Sequence, residues 1–305
     1  MAAEGGNIVR FIYTGAEGEI IPRDATHVLL DIKIIPARAF YNHPNIVEVI
    51  CHDRVEKIER LVFCQCQSLR RVIMRGVKNV ELRAFSWCRA LEEVECDKLE
   101  IIGEYAFYDC SSLRNINLQS ARIVREGAFC DCKALTEAKF GSKLERFDEA
   151  TFSGCISLER ITIPLKDGII TNDDIFLGCV SLKHVDLVEG ALLHETIVAL
   201  QLEEWRNDMS EDITSIQQIL PDTDAGGVGD EYEYVAGEKA LVVRRWIRSV
   251  LDKILHYQAE HERVLDDAAA TLQLALPQDL VMNYVLPFLE LPPHRFGVED
   301  HEDAE

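Results

Sequence analysis

The sequence predicts an α/β solenoid, a right-handed coil of parallel strands with about seven repeats, followed by a C-terminal α-helical region. Three observations carry this. A phenylalanine recurs at Phe40, Phe63, Phe85, Phe107, Phe129, Phe152 and Phe176, at spacings of 23, 22, 22, 22, 23 and 24. Three residues after each comes Cys66, Cys88, Cys110, Cys132, Cys155 or Cys179, with His43 in the first unit. After residue 188 the repeat stops and the charge changes: 25 acids against 8 bases, where the first 188 residues hold 28 against 24. Of the net charge of -21 on 305 residues, -4 belongs to the first part and -17 to the second.

Within a unit the other constant positions are aliphatic. Six after the Phe stand Ile46, Leu69, Leu91, Leu113, Leu135, Leu158 and Leu182, and nine after stand Val49, Val72, Val94, Ile116, Ala138, Ile161 and Val185. The stretch nine to eleven after the Phe alternates apolar and polar, as a strand with one buried face does. Around the Phe, as in 101–113, apolar residues lie three or four apart and predict a short helical turn. One strand and one turn in 22 to 24 residues is the leucine-rich repeat plan. No single unit can bury its own apolar positions, so neighbours must stack. Residues 1–33 are then an N-terminal flank and cap, and 34–190 the solenoid.

Units such as IGEYAFYDCSSLRNINL (102–118) and VREGAFCDCKALTEAKF (124–140) resemble the BspA-type leucine-rich repeats. The resemblance covers about half of the chain, and it implies a fold rather than an activity. That family includes bacterial surface proteins and eukaryotic chains, and no catalytic residue comes with it. The segment WIRSVLDKILHYQAEHERVL (246–265) is similar to the helical tail of algal, diatom-like members.

Ten cysteines raise the question of metal or disulfides. Six occupy one repeat position beside obligate apolar residues, where a small hydrophobe fits a narrow corner. A zinc site needs four ligands converging tetrahedrally, whereas a ladder sets its sulfurs in a line. Structural thiols are expected, with no metal and no cofactor. Cys64 and Cys130, one after the Phe, are expected to be the exposed, modifiable pair.

In a leucine-rich repeat the strands line the concave face, so residues eight and ten after each Phe form the candidate partner surface. The candidates are Arg71, Glu93, Glu95, Asn115, Asn117, Glu137, Lys139 and Arg160, with Arg75, twelve after its Phe, extending the rung. Neighbours such as Arg71 and Glu93 can also neutralise each other across the ladder. The run Arg70, Arg71, Arg75 and Lys78 lacks interleaved aromatics and is followed by Glu81, Glu92 and Glu93, so nucleic acid is not an expected partner.

The second part divides by pattern. Val198, Leu202, Trp205, Met209, Ile213, Ile216 and Leu220 predict a helix over 191–220 that caps the open end of the solenoid. Residues 221–238 read as an acidic linker whose Gly226-Gly227-Val228-Gly229 lacks the Lys-Ser/Thr of a phosphate loop. A helical tail is expected over 239–292, with the stripe Val242, Trp246, Val250, Ile254, Tyr257, Val264, Ala268 and Leu272 down 240–274 open to three uses: packing back on the solenoid, self-association, or receiving a partner. Residues 293–305 form an acidic, disordered end. No stretch of 18 apolar residues occurs, so no membrane span is expected.

The expected function is a non-enzymatic protein–protein interaction scaffold for a protein or peptide. No Ser/His/Asp set, phosphate loop or paired carboxylates stand out. The start MAAEGGNIVRFIYTG lacks a signal peptide's basic flank and apolar run, so a cytoplasmic location is expected. Two alternatives remain: an F-box-like ubiquitin-ligase adaptor, from LPQDLVMNYVLPFLELP at 276–292, and a cell-surface adhesion protein, from the bacterial relatives.

Overall fold

A computed structural model describes residues 8–188 and 238–273, with the single positions 207 and 281. The expectations for a capping helix at 191–220, the linker at 221–238, the F-box-like segment at 276–292 and the acidic end lie outside the described residues, apart from those two positions and Glu238, which opens the tail helix. Fifteen strands run through the first part. In chain order they are β1 (Arg10–Tyr13), β2 (His27–Leu30), β3 (Ile34–Ile35), β4 (Glu48–Cys51), β5 (Lys57–Ile58), β6 (Arg71–Ile73), β7 (Asn79–Val80) and β8 (Glu93–Glu95). They continue with β9 (Ile101–Ile102), β10 (Asn115–Leu118), β11 (Ile123–Val124), β12 (Glu137–Phe140), β13 (Arg146–Phe147), β14 (Arg160–Ile163) and β15 (His184–Leu187).

They form two parallel sheets, one along each side of the coil. The longer strands make a nine-stranded sheet in the order β1-β2-β4-β6-β8-β10-β12-β14-β15, and the two-residue strands β3, β5, β7, β9, β11 and β13 make a six-stranded one. The solenoid follows the expected plan, and it starts earlier than the phenylalanines do. β1 and β2 add two strands in register, with Phe11 opposite Val28 and Tyr13 opposite Leu30.

The helical turn expected around each Phe is not what forms. Ile101–Ile102 is strand β9, and the residues after it make tight turns whose N–H groups bond forward to the next coil. Tyr105 N donates to Glu126 O at 2.8 Å, Phe107 N to Ala128 O at 2.8 Å and Asp109 N to Cys130 O at 2.9 Å. In the first six coils two positions hold left-handed backbone, two before and two after the Phe, as at Tyr105 (φ 52) and Asp109 (φ 53). A strand followed by such turns produces the same three-and-four apolar spacing as a helix, which is why the pattern misleads. Among the described residues of the coil, helix is confined to a 3-10 turn at Asp173–Phe176.

The Phe side chains form one column. Successive rings from Phe40 to Phe176 stack with centroids 5.2, 5.2, 5.2, 5.4, 5.6 and 6.1 Å apart and planes within 16°. Tyr13 closes the column edge-on to Phe40 at 5.2 Å. Each repeat cysteine then bonds back by one coil. The Sγ of Cys66, Cys88, Cys110, Cys132, Cys155 and Cys179 donates to the carbonyl of Phe40, Phe63, Phe85, Phe107, Phe129 and Phe152, at 3.0 to 3.2 Å. The position therefore calls for a small apolar group that can also donate. His43 serves the same end in the first unit, its Nε2 bonding to Pro22 O at 2.9 Å.

Helix α1 (Glu238–Gln273) lies against the last coil. Its Ala240, Val243, Trp246, Ile247, Val250, Leu251 and Ile254 join the solenoid core. The buried Lys239 ammonium donates to three carbonyls of the final turn, Cys179 at 2.8 Å, Val180 at 3.2 Å and Leu182 at 2.9 Å. Arg244 Nε donates to Ile170 O at 3.0 Å and pairs with Asp173 at 2.9 Å, and Arg248 pairs with Asp167 at 3.3 Å. The first half of the tail helix thus covers the solenoid end. The docked face contains Trp246, Val250 and Ile254 of the stripe read from the sequence and adds Val243, Ile247 and Leu251 beside them, whereas Val264 of that stripe is exposed. No helix among the described residues is long and apolar enough to cross a membrane.

Candidate partner-binding face

The outward side chains of the nine-stranded sheet stand in two rows set by the parallel register. The first runs Arg10, His27, Glu48, Arg71, Glu93, Asn115, and then Glu137, Arg160, His184. The second runs Ile12, Leu29, Ile50, Ile73, Glu95, and then Asn117, Lys139, Thr162, Asp186. All the strand candidates read from the sequence fall on these rows, and Arg75 lies just beyond β6.

The charged candidates are largely occupied with one another. Arg71 sits among three carboxylates: Glu48 at 3.3 Å, Glu93 at 3.1 Å and Glu95 in close contact. Arg75 reaches the other oxygen of Glu95 at 2.7 Å. Hydrogen bonds from Arg75 and then Arg71 hold the Glu95 carboxyl below its ordinary range, and the same contact with Glu95 raises Arg71. Lys139 pairs with Glu137 at 2.8 Å and Arg160 with Asp186 at 2.6 Å. Asn115 and Asn117 are exposed, and the Asn117 Oδ1 accepts from the Gln119 N–H at 3.1 Å. Exposed pairs of this kind contribute little to stability, and a partner must break them to use either member.

Sequence reasoning set Ile50 and Ile73 at outward strand positions without counting them as binding candidates, and it missed Ile12 and Leu29 beside them. Ile12, Leu29 and Ile50 are 57%, 36% and 37% exposed, and Ile73 beside them is half-buried. At the strand spacing of about 4.8 Å these four make a stripe on the order of 14 Å long. The signal was present in the repeat, because Ile50 and Ile73 occupy positions that hold Glu95, Asn117 and Lys139 in later coils. It was cut short because β1 and β2 carry no repeat phenylalanine.

The thiols are placed for packing. All ten are free, and nine are buried. Burial pushes Cys51, Cys66, Cys96 and Cys179 up to about 12, and Cys64 and Cys130 up to about 11. Of the pair expected to be exposed, Cys130 is half-buried, whereas Cys64 is buried between coils. A thiol of pKa near 11 is thiolate at about one part in a thousand at pH 8. Titration of the native protein with a disulfide reagent at pH 8 is therefore expected to modify Cys130 slowly and the other nine only on unfolding. Rapid native reaction of several thiols would contradict this burial. Among the described residues no cluster of His, Cys, Asp and Glu is arranged to hold a metal ion.

The fold and this face define a leucine-rich repeat solenoid whose accessible product is surface. The chain belongs to the BspA type leucine-rich repeat family, whose profile matches six copies over residues 33–123 and 119–196. No curated protein sequence matches the chain significantly. Among solved structures it is similar to a leucine-rich repeat protein from Bacteroides ovatus, 26% identical over 48% of this chain and 42% of that one, TM-score 0.40. It is also similar to the leucine-rich repeat protein of T. pallidum, at 21% identity over 53% of this chain and 69% of that one, TM-score 0.38. The pneumococcal vaccine antigen PcpA aligns at 13% identity over 59% and 71%, TM-score 0.24. The chain thus spans less than half of the B. ovatus protein.

Proposed function

We propose that this protein is a non-enzymatic interaction scaffold that holds a protein or peptide on the N-terminal half of its nine-stranded sheet. The observation that carries the reading is the in-register apolar stripe of Ile12, Leu29, Ile50 and Ile73, exposed on a sheet whose other outward groups are mostly paired. Aliphatic side chains on a rigid sheet lose little freedom on docking, and covering them gains the hydrophobic term directly. The paired carboxylates and guanidiniums around them form a rim that favours a protein over nucleic acid, since no unpaired basic run faces outward there. A reducing, intracellular setting fits the S–H ladder, because a disulfide would remove the donors that bond to the Phe carbonyls.

The test is affinity capture with the full chain, comparing wild type with Leu29→Asp/Ile50→Asp and with Arg71→Ala, after melting curves show that each is folded. The double variant is expected to weaken partner binding by about 100-fold, from two aliphatic groups left unburied and two charges desolvated. Arg71→Ala is expected to change it by no more than about threefold, as an exposed and already neutralised charge. An unchanged partner set in the double variant would defeat the reading.

A further inference from the structure

The arginines of the coil fall into two sets. Of the thirteen in 34–188, nine make ion pairs. Arg38, Arg60, Arg83 and Arg114 make none among the described residues, and all four are exposed. Three of these four lie in consecutive coils on the third side of the solenoid, where the chain crosses from the short sheet to the long one. Arg38 stands two before Phe40, Arg60 three before Phe63 and Arg83 two before Phe85. Arg38 N donates to Arg60 O at 3.1 Å. Burial raises the Cys64 thiol in the coil between, and the charges of Arg83 and Arg38 pull it the other way. Arg83 also joins an aromatic cluster, its guanidinium 5.4 Å from the Tyr105 ring and 5.9 Å from the Trp87 ring. Tyr108 meets Trp87 edge-on at 5.4 Å and Tyr105 at 5.9 Å. A β-carbon at Gly127 would collide with the Tyr105 ring, so that ring is seated on the glycine.

We propose that this third side docks an acidic peptide segment of a partner protein, its carboxylates paired with Arg38, Arg60 and Arg83 and a neighbouring apolar side chain laid on Trp87 and Tyr108. Arg38, Arg83, Trp87 and Tyr105 hold φ of 62, 52, 59 and 52, the left-handed region where a side chain is disfavoured. The same two rows take glycine at Gly127 and Gly154, so the fold does not require these side chains and they stand there against local preference. Arginine, tryptophan and tyrosine are also the residues that carry most binding energy at interfaces. Charge complementarity selects the occupant. Three unpaired guanidiniums over about 10 Å are matched by carboxylates, which guanidinium binds with two parallel hydrogen bonds. Beyond Arg83 the same side turns acidic, at the exposed Glu104 and at Glu126, whose carboxylate holds the Tyr105 hydroxyl. A phosphate backbone charged at every residue would run into those carboxylates, whereas a peptide can end its acidic run before them. This surface is separate from the apolar stripe of the long sheet and does not rest on that reading.

The experiment is fluorescence anisotropy of the full chain with a fluorescein-labelled peptide of glutamates followed by phenylalanine, made in both sequence orders. Its lysine counterpart, a glutamate-only peptide and an oligo(dT) of similar length are measured beside it. At low salt the better acidic peptide is expected to bind at least about tenfold tighter than the lysine peptide or oligo(dT), and about fivefold tighter than the glutamate-only peptide. Arg38→Gly/Arg83→Gly should weaken it by about tenfold or more. Glycine suits the left-handed backbone at both positions, so this variant should melt within a few degrees of wild type. Arg60→Glu, at a position with ordinary backbone, should weaken the acidic peptide by a similar factor and favour the lysine one. Leu29→Asp/Ile50→Asp should leave this binding unchanged, which separates it from binding at the long sheet. An acidic peptide bound no tighter than the lysine one overturns the proposal. So does binding that survives both arginine variants, or oligo(dT) bound more tightly than either peptide.

Discussion

Phe107→Ala is expected to destabilise the protein by about 3–5 kcal/mol, the range for removing a fully buried aromatic ring. Phe107 is fully buried at the middle of the column, with Phe85 at 5.2 Å on one side and Phe129 at 5.4 Å on the other. The cavity cannot close by a neighbour sliding in, because both neighbours are held by their own coils. The Phe107 carbonyl still has to accept from Cys132 Sγ and Cys110 N, so the backbone around the void is pinned as well. In a stack where each coil contacts only its neighbours, the loss falls on two interfaces at once. A urea titration should show a lower midpoint and a broadened or split transition, as the coils on either side lose cooperativity. Phe107→Leu, which keeps most of the volume, should cost less than half as much. Equal effects of the two substitutions would show that the column is not packed as described.

Lys239→Met is expected to release the first half of α1 from the solenoid, at a cost of about 2–4 kcal/mol from buried carbonyls left without donors. Lysine in the first turn of a helix opposes the helix dipole, so local preference does not explain it. The residue is 7% exposed and its ammonium faces three carbonyls of the last turn. Methionine keeps the stem packing and removes all the donors. Hydrogen exchange should then lose protection in 240–254 and in β15, with β4 to β8 unaffected. Protection unchanged in both places would mean that the apolar face of Val243, Ile247, Val250 and Ile254 holds the cap by itself.

The legible part of this fold was the part that repeats. Each Phe and Cys announced a coil because each makes the same contact with its predecessor, and six copies of one contact leave a mark in the sequence. The first two strands left almost none. Their coil keeps Ala25, Val28 and Leu30 at the buried positions, but it carries no phenylalanine at the repeat position, its ring being Tyr13 set edge-on from β1, and no thiol to donate. The helical turns read around each Phe failed for a different reason. Apolar spacing reports which side chains are inside, and it says nothing of where the N–H groups go. At Tyr105, Phe107 and Asp109 they go to the next coil rather than back along the chain. Among the candidate site residues, charge identified the outward positions correctly, yet it pointed to residues that satisfy each other. Whether Arg71 is available depends on Glu48, Glu93 and Glu95, which come from two other coils. The apolar stripe of α1 was legible, with packing back on the solenoid among its possible uses, but the choice of that use and the contacts of Lys239 with the last turn were not.

The four ladders that run along the axis, two sheets, one column of rings and one line of thiols, also fix a length. Nine strands at about 4.8 Å set the first and last of the long sheet roughly 38 Å apart. Every coil is tied to the next by several kinds of contact at once, so this distance is not easily stretched or bent. The coil region then acts as a molecular ruler: whatever meets β1 and whatever meets the far half of α1 are kept at a set separation. Removing one complete repeat would shorten that separation by one strand spacing and turn every later side chain by the same increment, without altering either end.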